Sequence, residues 1–173
     1  MLKIIGLAVG ALVCVLLVAA WLGPAHFRVT RTQTVQVPAE KLHPLIADLR
    51  QFNTWNPFAS DPAMKGQYHG PSQGPGAAFH FEGGSSGAGS LHLVDAAPQK
   101  IRMELRMRKP MEGRNDIEFT LQPRGAATDV TWSMEGPMPF VGRLFSIFIN
   151  LDRDIGTQFD NGLAALKRRA ETR

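Results

Sequence analysis

Few residues in this chain have the types and spacing for chemistry. His80 and Glu82 stand two apart, as a general base and its partner might, and His92 follows in the next apolar alternation. Alternation sets His80 and Glu82 opposite Phe79 and Phe81, and His92 opposite Leu91 and Leu93, so all three read as surface groups. His80-Phe81-Glu82 lacks the Pro-Cys-x-x-Cys partner of a zinc deaminase. His92 and Asp95 have no recognised ligand spacing, and His26, His43 and His69 are scattered, so neither a metal nor a cofactor is expected. The Gly83–Gly89 run (GGSSGAG) lacks the Gly-Lys-Ser/Thr ending of a phosphate loop and precedes a strand, which makes it a hairpin loop. Tyr68, Asn53, Asn56, Asp152 and Gln158 are the polar candidates for an interior site. Tyr68 and Asp152 are the two that could serve as acid or base beside a substrate carbonyl. A structural hydrogen bond is the plainer role for each, and the balance leans away from an enzyme.

The elements that must position these residues follow from periodicity. Arg28–Val37 alternates, with Val29, Val35 and Val37 on one parity and threonines on the other, which predicts a strand. Leu42, Leu45, Ile46 and Leu49 have helical spacing, ended by a turn through Phe52–Pro57. Gly70–Gly76 and Gly83–Gly89 are breakers flanked by short alternations. Ile101–Met107, Ile117–Leu121 and Val130–Met134 alternate apolar with polar residues, so each strand has one wet and one covered face. Leu144, Phe148, Leu151, Ile155, Phe159, Leu163 and Leu166 form a single apolar stripe, predicting a helix from about Pro139 to Ala170. Gly142, Gly156 and Gly162 interrupt it, which implies close backbone approach or room for something else. Strand, short helices, about six strands and a long helix make an α+β domain.

Ile4–Gly23 carries no charge over twenty residues, enough for a helix of about 30 Å, the thickness of a bilayer core. Length favours a retained transmembrane anchor over residues 1–25 rather than a cleaved signal, with residues 26–173 as the folded domain. Flanking charge favours a cytoplasmic domain, whereas the commoner signal-anchor arrangement favours an extracytoplasmic one, which is preferred. With 19 Lys and Arg against 15 Asp and Glu the chain is mildly basic. Arg102, Arg106, Arg108 and Lys109 form a basic strip on the wet sheet face, ordinarily solvated and also able to lean on anionic headgroups. Aromatic interleaving is missing from it, so no nucleic acid is expected. The lone cysteine, Cys14, excludes an intramolecular disulfide and a Cys-based zinc site.

Ala47-Asp48-Leu49 leading to Trp55-Asn56-Pro57, then Asp129–Trp132, Glu135–Phe140, Ile155–Leu163 and Leu166-Lys167, carry a resemblance. They are similar to the SRPBCC superfamily of START-like, Bet v 1-like proteins. More narrowly, they resemble bacterial "polyketide cyclase/dehydrase and lipid transport" proteins with an N-terminal membrane segment. The resemblance implies a helix-grip fold: a curved antiparallel sheet wrapped around the long C-terminal helix, with a cavity between them. It also implies an inner-membrane, single-pass location. In that setting Trp55, Tyr68, Phe79, Phe81, Met103, Met107, Phe119, Trp132, Met134, Phe148, Ile155 and Phe159 are the candidate ligand-binding residues. Such pockets are mainly apolar, and methionine suits a loosely specified ligand. The expected function is membrane-anchored binding or transport of a hydrophobic small molecule or lipid. A polyketide cyclase or dehydratase-like enzyme and a ligand-free interaction module are the alternatives.

Overall fold

A computed structural model describes residues 2–172 of the chain. Helix α1 (Leu2–Leu22) precedes β1 (His26–Val35), α2 (Ala39–Ala47), α3 (Leu49–Phe52) and a 3-10 turn at Pro57–Ala59. Six strands follow: β2 (Lys65–His69), β3 (Ala78–Glu82), β4 (Ala88–Ala97), β5 (Lys100–Lys109), β6 (Gly113–Arg124) and β7 (Ala127–Pro137). The described chain closes with α4 (Phe140–Ser146) and α5 (Leu151–Glu171). All seven strands join in one antiparallel sheet in the order β1-β7-β6-β5-β4-β3-β2. The α+β helix-grip class expected from the sequence is the one observed.

The register lines up the alternating residues in rows across the sheet. Trp132 of β7 opposes Phe119 of β6, which opposes Ile101 of β5. The next row runs Val29, Met134, Ile117, Met103 and Leu93. These side chains are buried on the concave face. Helix α5 lies along β1 in the same direction, with Asp152 and Asp160 at Arg31, Lys167 at Thr34 and Glu171 at Gln36.

The predicted helix over 139–170 is two helices. Asn150 caps α5, its side chain accepting from the Arg153 N–H at 3.0 Å, and Asp152 and Asp154 occupy the first turn. Carboxylates there complement the positive end of the helix dipole, so a new start at residue 151 is favoured over continuation. The short helical stretch is similarly divided at Asp48, whose carboxylate accepts from Arg50 and Gln51 N–H and opens α3.

Two of the helix glycines are explained by close approach. At Gly156 the Arg31 guanidinium lies where a Cβ would project. At Gly162 a Cβ would meet Trp132 Cζ3 at 2.7 Å and Pro57 Cδ at 2.9 Å. Helix and sheet therefore touch backbone to ring at this point. Among the described residues, α1 is the one helix long and apolar enough to cross a membrane, and its dimensions suit a signal sequence equally.

Gly162→Ala sets a helix-propensity gain of about 1 kcal/mol against an overpacking cost of about 1–3 kcal/mol. Both groups it meets are rigid rings, so the cost lies at the high end and the melting temperature falls. An unchanged or raised melting temperature would contradict the close approach.

Candidate ligand-binding face

The concave face has two unlike ends. At one, the rings close-pack: Trp132 stacks on Phe159 with centroids 4.1 Å apart and planes 9° apart, and lies 5.0 Å from Phe119. Phe52 and Trp55 complete the group edge-to-face, with centroids 4.8 Å apart. Trp55 is fixed further by its indole N–H, which donates to the Leu45 carbonyl at 2.8 Å. Trp132 is 1% exposed, and its Nε1 donor finds no acceptor among the described residues. An unpaired donor in apolar surroundings is costly, and the close packing of the rings around Trp132 offsets that cost.

At the other end the covering thins. Helix α5 packs chiefly on β1, with β7 and the Pro57–Ala59 turn beside it. Toward β2–β5 the inner face carries Tyr68, Phe79, Phe81, Leu91, Leu105 and Met107. Of these, Tyr68, Leu105 and Met107 are half-buried, as are Phe27 of β1 and Ile155 in the first turns of α5. Half-exposed apolar groups gathered on a curved inner face are what a hydrophobic ligand would cover.

Eleven of the twelve candidate residues lie on this face or pack against it. Phe79, Phe81, Met103, Phe119, Trp132, Met134, Trp55 and Phe159 are buried in the core group, and Tyr68, Met107 and Ile155 pack against it. Phe148 departs from the pattern. It sits in the α4–α5 connection and is 72% exposed, because the break at Asn150 removes it from the α5 stripe.

The polar candidates separate into two groups. Asn53 Nδ2 donates to Tyr68 Oη at 3.1 Å, and Asn56 Nδ2 to Asn53 Oδ1 at 3.4 Å, so these three form one chain of hydrogen bonds. The Tyr68 ring lies 4.7 Å from Phe79, with the Arg50 guanidinium carbon 4.3 Å above it. Asp152 is elsewhere: exposed, and gripped by Arg31, whose Nη1 and Nη2 each reach its carboxylate at 3.1 Å. Arg31 thus ties β1 to α5, a role the threonine-rich alternation around it did not suggest. The hydrogen bond from Arg31 holds the Asp152 carboxyl below the usual carboxylate range.

On the convex face, His69 is not scattered but joins the surface histidines His80 and His92, and the basic strip is paired as well as solvated. His69, His80 and His92 form a row across β2, β3 and β4, with ring centroids 4.5 and 5.8 Å apart. Burial pushes the His92 imidazole below its ordinary value, and the nearby charge of Arg106 adds to this. Arg102 pairs with Asp95, Lys109 with Glu82, and both Arg106 and Arg114 with the 4%-exposed Glu104. Most of the strip is therefore paired with carboxylates of β3, β4 and β5, which lowers its attraction for anionic headgroups. A groove of about 500 Å³ on this face is lined by such charges, among them Arg28, Arg102, Glu104, Arg114 and Glu118.

The glycine loop also spells Gly-x-Ser-x-Gly over Gly83–Gly87. A nucleophile elbow joins a strand to a helix, whereas this loop joins antiparallel β3 and β4. Ser85 Oγ donates to Asp61 Oδ2 at 2.9 Å, and its N–H to the same oxygen at 2.7 Å, so the serine is a loop fastener.

The family described as "Polyketide cyclase / dehydrase and lipid transport" matches residues 26–171. The chain belongs to that family. Membership implies hydrophobic-ligand binding or polyketide cyclase-like activity. A protein of Chromobacterium violaceum superposes with a TM-score of 0.60 at 18% identity, covering 86% of this chain and 99% of its own. Mll3558 of Rhizobium loti gives 0.58 at 22%, over 83% of this chain and 96% of its own. DynU16, from the dynemicin biosynthetic locus, gives 0.58 at 15%, over 84% of this chain and 47% of its own. At these identities the likeness is one of fold. None of the curated proteins compared with the chain matches it.

The Arg31–Asp152 pair has a definite pH signature. With the folded pKa below the unfolded one, its contribution is fully present above the unfolded carboxyl value of about 3.9 and is lost as pH falls through the folded value. The urea-midpoint difference between the unaltered chain and Asp152→Asn should shrink on acidification from about pH 6 to about pH 3. A difference independent of pH would contradict the pairing.

Proposed function

We propose that this protein binds a hydrophobic small molecule or lipid against the half-open end of its concave face, and does so at a membrane. The carrying observation is the set Tyr68, Leu105 and Met107, half-buried on the β2–β5 part of the inner face that α5 does not cover. Leu and Met side chains with a single phenol at the edge provide greasy contact with little orientation, which suits a chain or fused-ring ligand. The Tyr68–Asn53 pair supplies the polar groups at this end able to hold a ligand oxygen. Asp152 gives no support to acid–base catalysis in the interior, since Arg31 holds it on the exposed side of the helix.

The membrane half of the proposal rests on α1. Residues 1–25 serve as a retained single-pass anchor, and residues 26–173 form the binding domain on the extracytoplasmic side. What supports this is an apolar helix of Leu2–Leu22, long enough to span about 30 Å, whose described side chains are almost all exposed. An exposed helix of that kind needs lipid to cover it.

Met107→Trp would fill the half-open end. Its expected effect is a loss of at least about tenfold in affinity for a fluorescent fatty acid, about 1.4 kcal/mol, with the melting temperature kept. Val94→Trp, an exposed convex-face control, should leave binding unchanged. Equal affinity in all three proteins would overturn the site. Intact-mass measurement of protein extracted from membranes should show residues 1–25 still attached; a mature chain starting near Trp21 would overturn the anchor.

A further inference from the structure

The segment joining sheet to α5 carries an apolar surface that the binding site does not use. Phe140, Val141, Phe145, Ile147, Phe148 and Ile149 are all exposed, within ten consecutive residues. Between Gly136 and Leu151 the sequence has no acidic residue, and Arg143 is its only charge. A solvated surface rarely gathers so many large apolar side chains unless something covers them.

Its position says what covers it. Helix α4 packs against the C-terminal end of α1, where the Arg143 Nη1 donates to the Trp21 carbonyl at 3.3 Å. Arg143 Nε also donates to the Met138 carbonyl at 3.0 Å, so the same guanidinium is fixed at both ends. The Met138 N–H donates to the Ala25 carbonyl at 2.7 Å, holding the start of this segment beside the residues that leave α1. Trp21 and Leu22, both largely exposed, close the apolar helix at this level. The surface of α1 and that of Phe140–Ile149 are therefore continuous, with an arginine and a tryptophan at their junction. Trp at a helix end, with an arginine whose stem lies along apolar surface, is the composition of a membrane–water interface.

We propose that the α4 segment is a second membrane contact: Phe145, Ile147, Phe148 and Ile149 insert into the bilayer interface beside α1. The proposal rests on the reading of α1 as an anchor. The segment lies in the interface and does not span it, since seven helical residues cover only about 10 Å. Two points of attachment, α1 and α4, fix the tilt of the domain over the membrane, whereas α1 alone would leave it free to swing. The break at Asn150 also has a purpose here, because a continuous helix would bury Phe148 against the sheet.

Depth-dependent quenching tests this on the full chain in phosphatidylcholine–phosphatidylglycerol vesicles. An environment-sensitive fluorophore is attached to the native Cys14, to Cys14→Ser/Phe148→Cys, and to Cys14→Ser/Val94→Cys. Lipids with a nitroxide near the headgroup should quench the label at 148 at least about twofold more than the label at 94. Lipids with a nitroxide deep in the chain should quench the label at Cys14. Equal, weak quenching at 148 and 94 with strong quenching at 14 would overturn the α4 contact and leave the anchor standing. Weak quenching at all three would overturn both.

Discussion

The contact between Phe159 and Trp132 sets the geometry on which the rest depends. Parallel rings 4.1 Å apart bring α5 down onto β7, and only a glycine at 162 lets the helix backbone pass the Trp132 edge and Pro57. Arg31 fastens the same helix to β1 by crossing Gly156 to reach Asp152 and Asp160. Buried stacking supplies the attraction and the exposed ion pairs supply direction, since such pairs contribute little energy in water. A helix held this firmly at β1 and β7 cannot also cover β2–β5 of a curved sheet. The half-open apolar end follows from that geometry.

The two faces of the sheet divide the work by charge. Inside, alternate residues of β3–β7 are apolar or aromatic and crowd around the grip. Outside, Lys100, Arg102, Lys109, Arg106 and Arg114 of β5 and β6 pair with Glu118, Asp95, Glu82 and Glu104, the last serving both Arg106 and Arg114. The Arg106 hydrogen bond, with the charge of Arg114, holds the Glu104 carboxyl below its usual range, so this nearly buried acid stays charged. Most basic groups of the convex face are thus paired, which leaves the apolar surfaces, the concave end and the α4 segment, as those with most to gain from a partner.

Much of this was legible from residue order. Alternation identified β5, β6 and β7 with their inner and outer faces, and the glycines at 156 and 162 pointed to close approach or to room for something else, of which the structure shows the first. What escaped were features decided by residues far apart in the chain. Arg31 sits on the inner parity of β1, yet its role depends on carboxylates more than a hundred residues away. The histidine row needs the β2–β3–β4 register, and the neutralised basic strip needs cross-strand pairing. The division of the C-terminal helix was visible in Asn150-Leu151-Asp152, a cap followed by an acid, but the unbroken apolar spacing of Leu144, Phe148 and Leu151 outweighed it. Phe148 was misplaced for that reason, since spacing alone does not show where a helix restarts.

Methionine methyl groups report on the proposed site from within. Met103 and Met134 lie in the buried row, Met107 at the half-open end, and Met111 is exposed beyond β5. In methyl NMR of the full chain in lipid nanodiscs, titration with a long-chain fatty acid should shift the Met107 resonance most, Met103 and Met134 less, and leave Met111 in place. A Met107 resonance that stays fixed while the fatty acid saturates the protein would contradict the account.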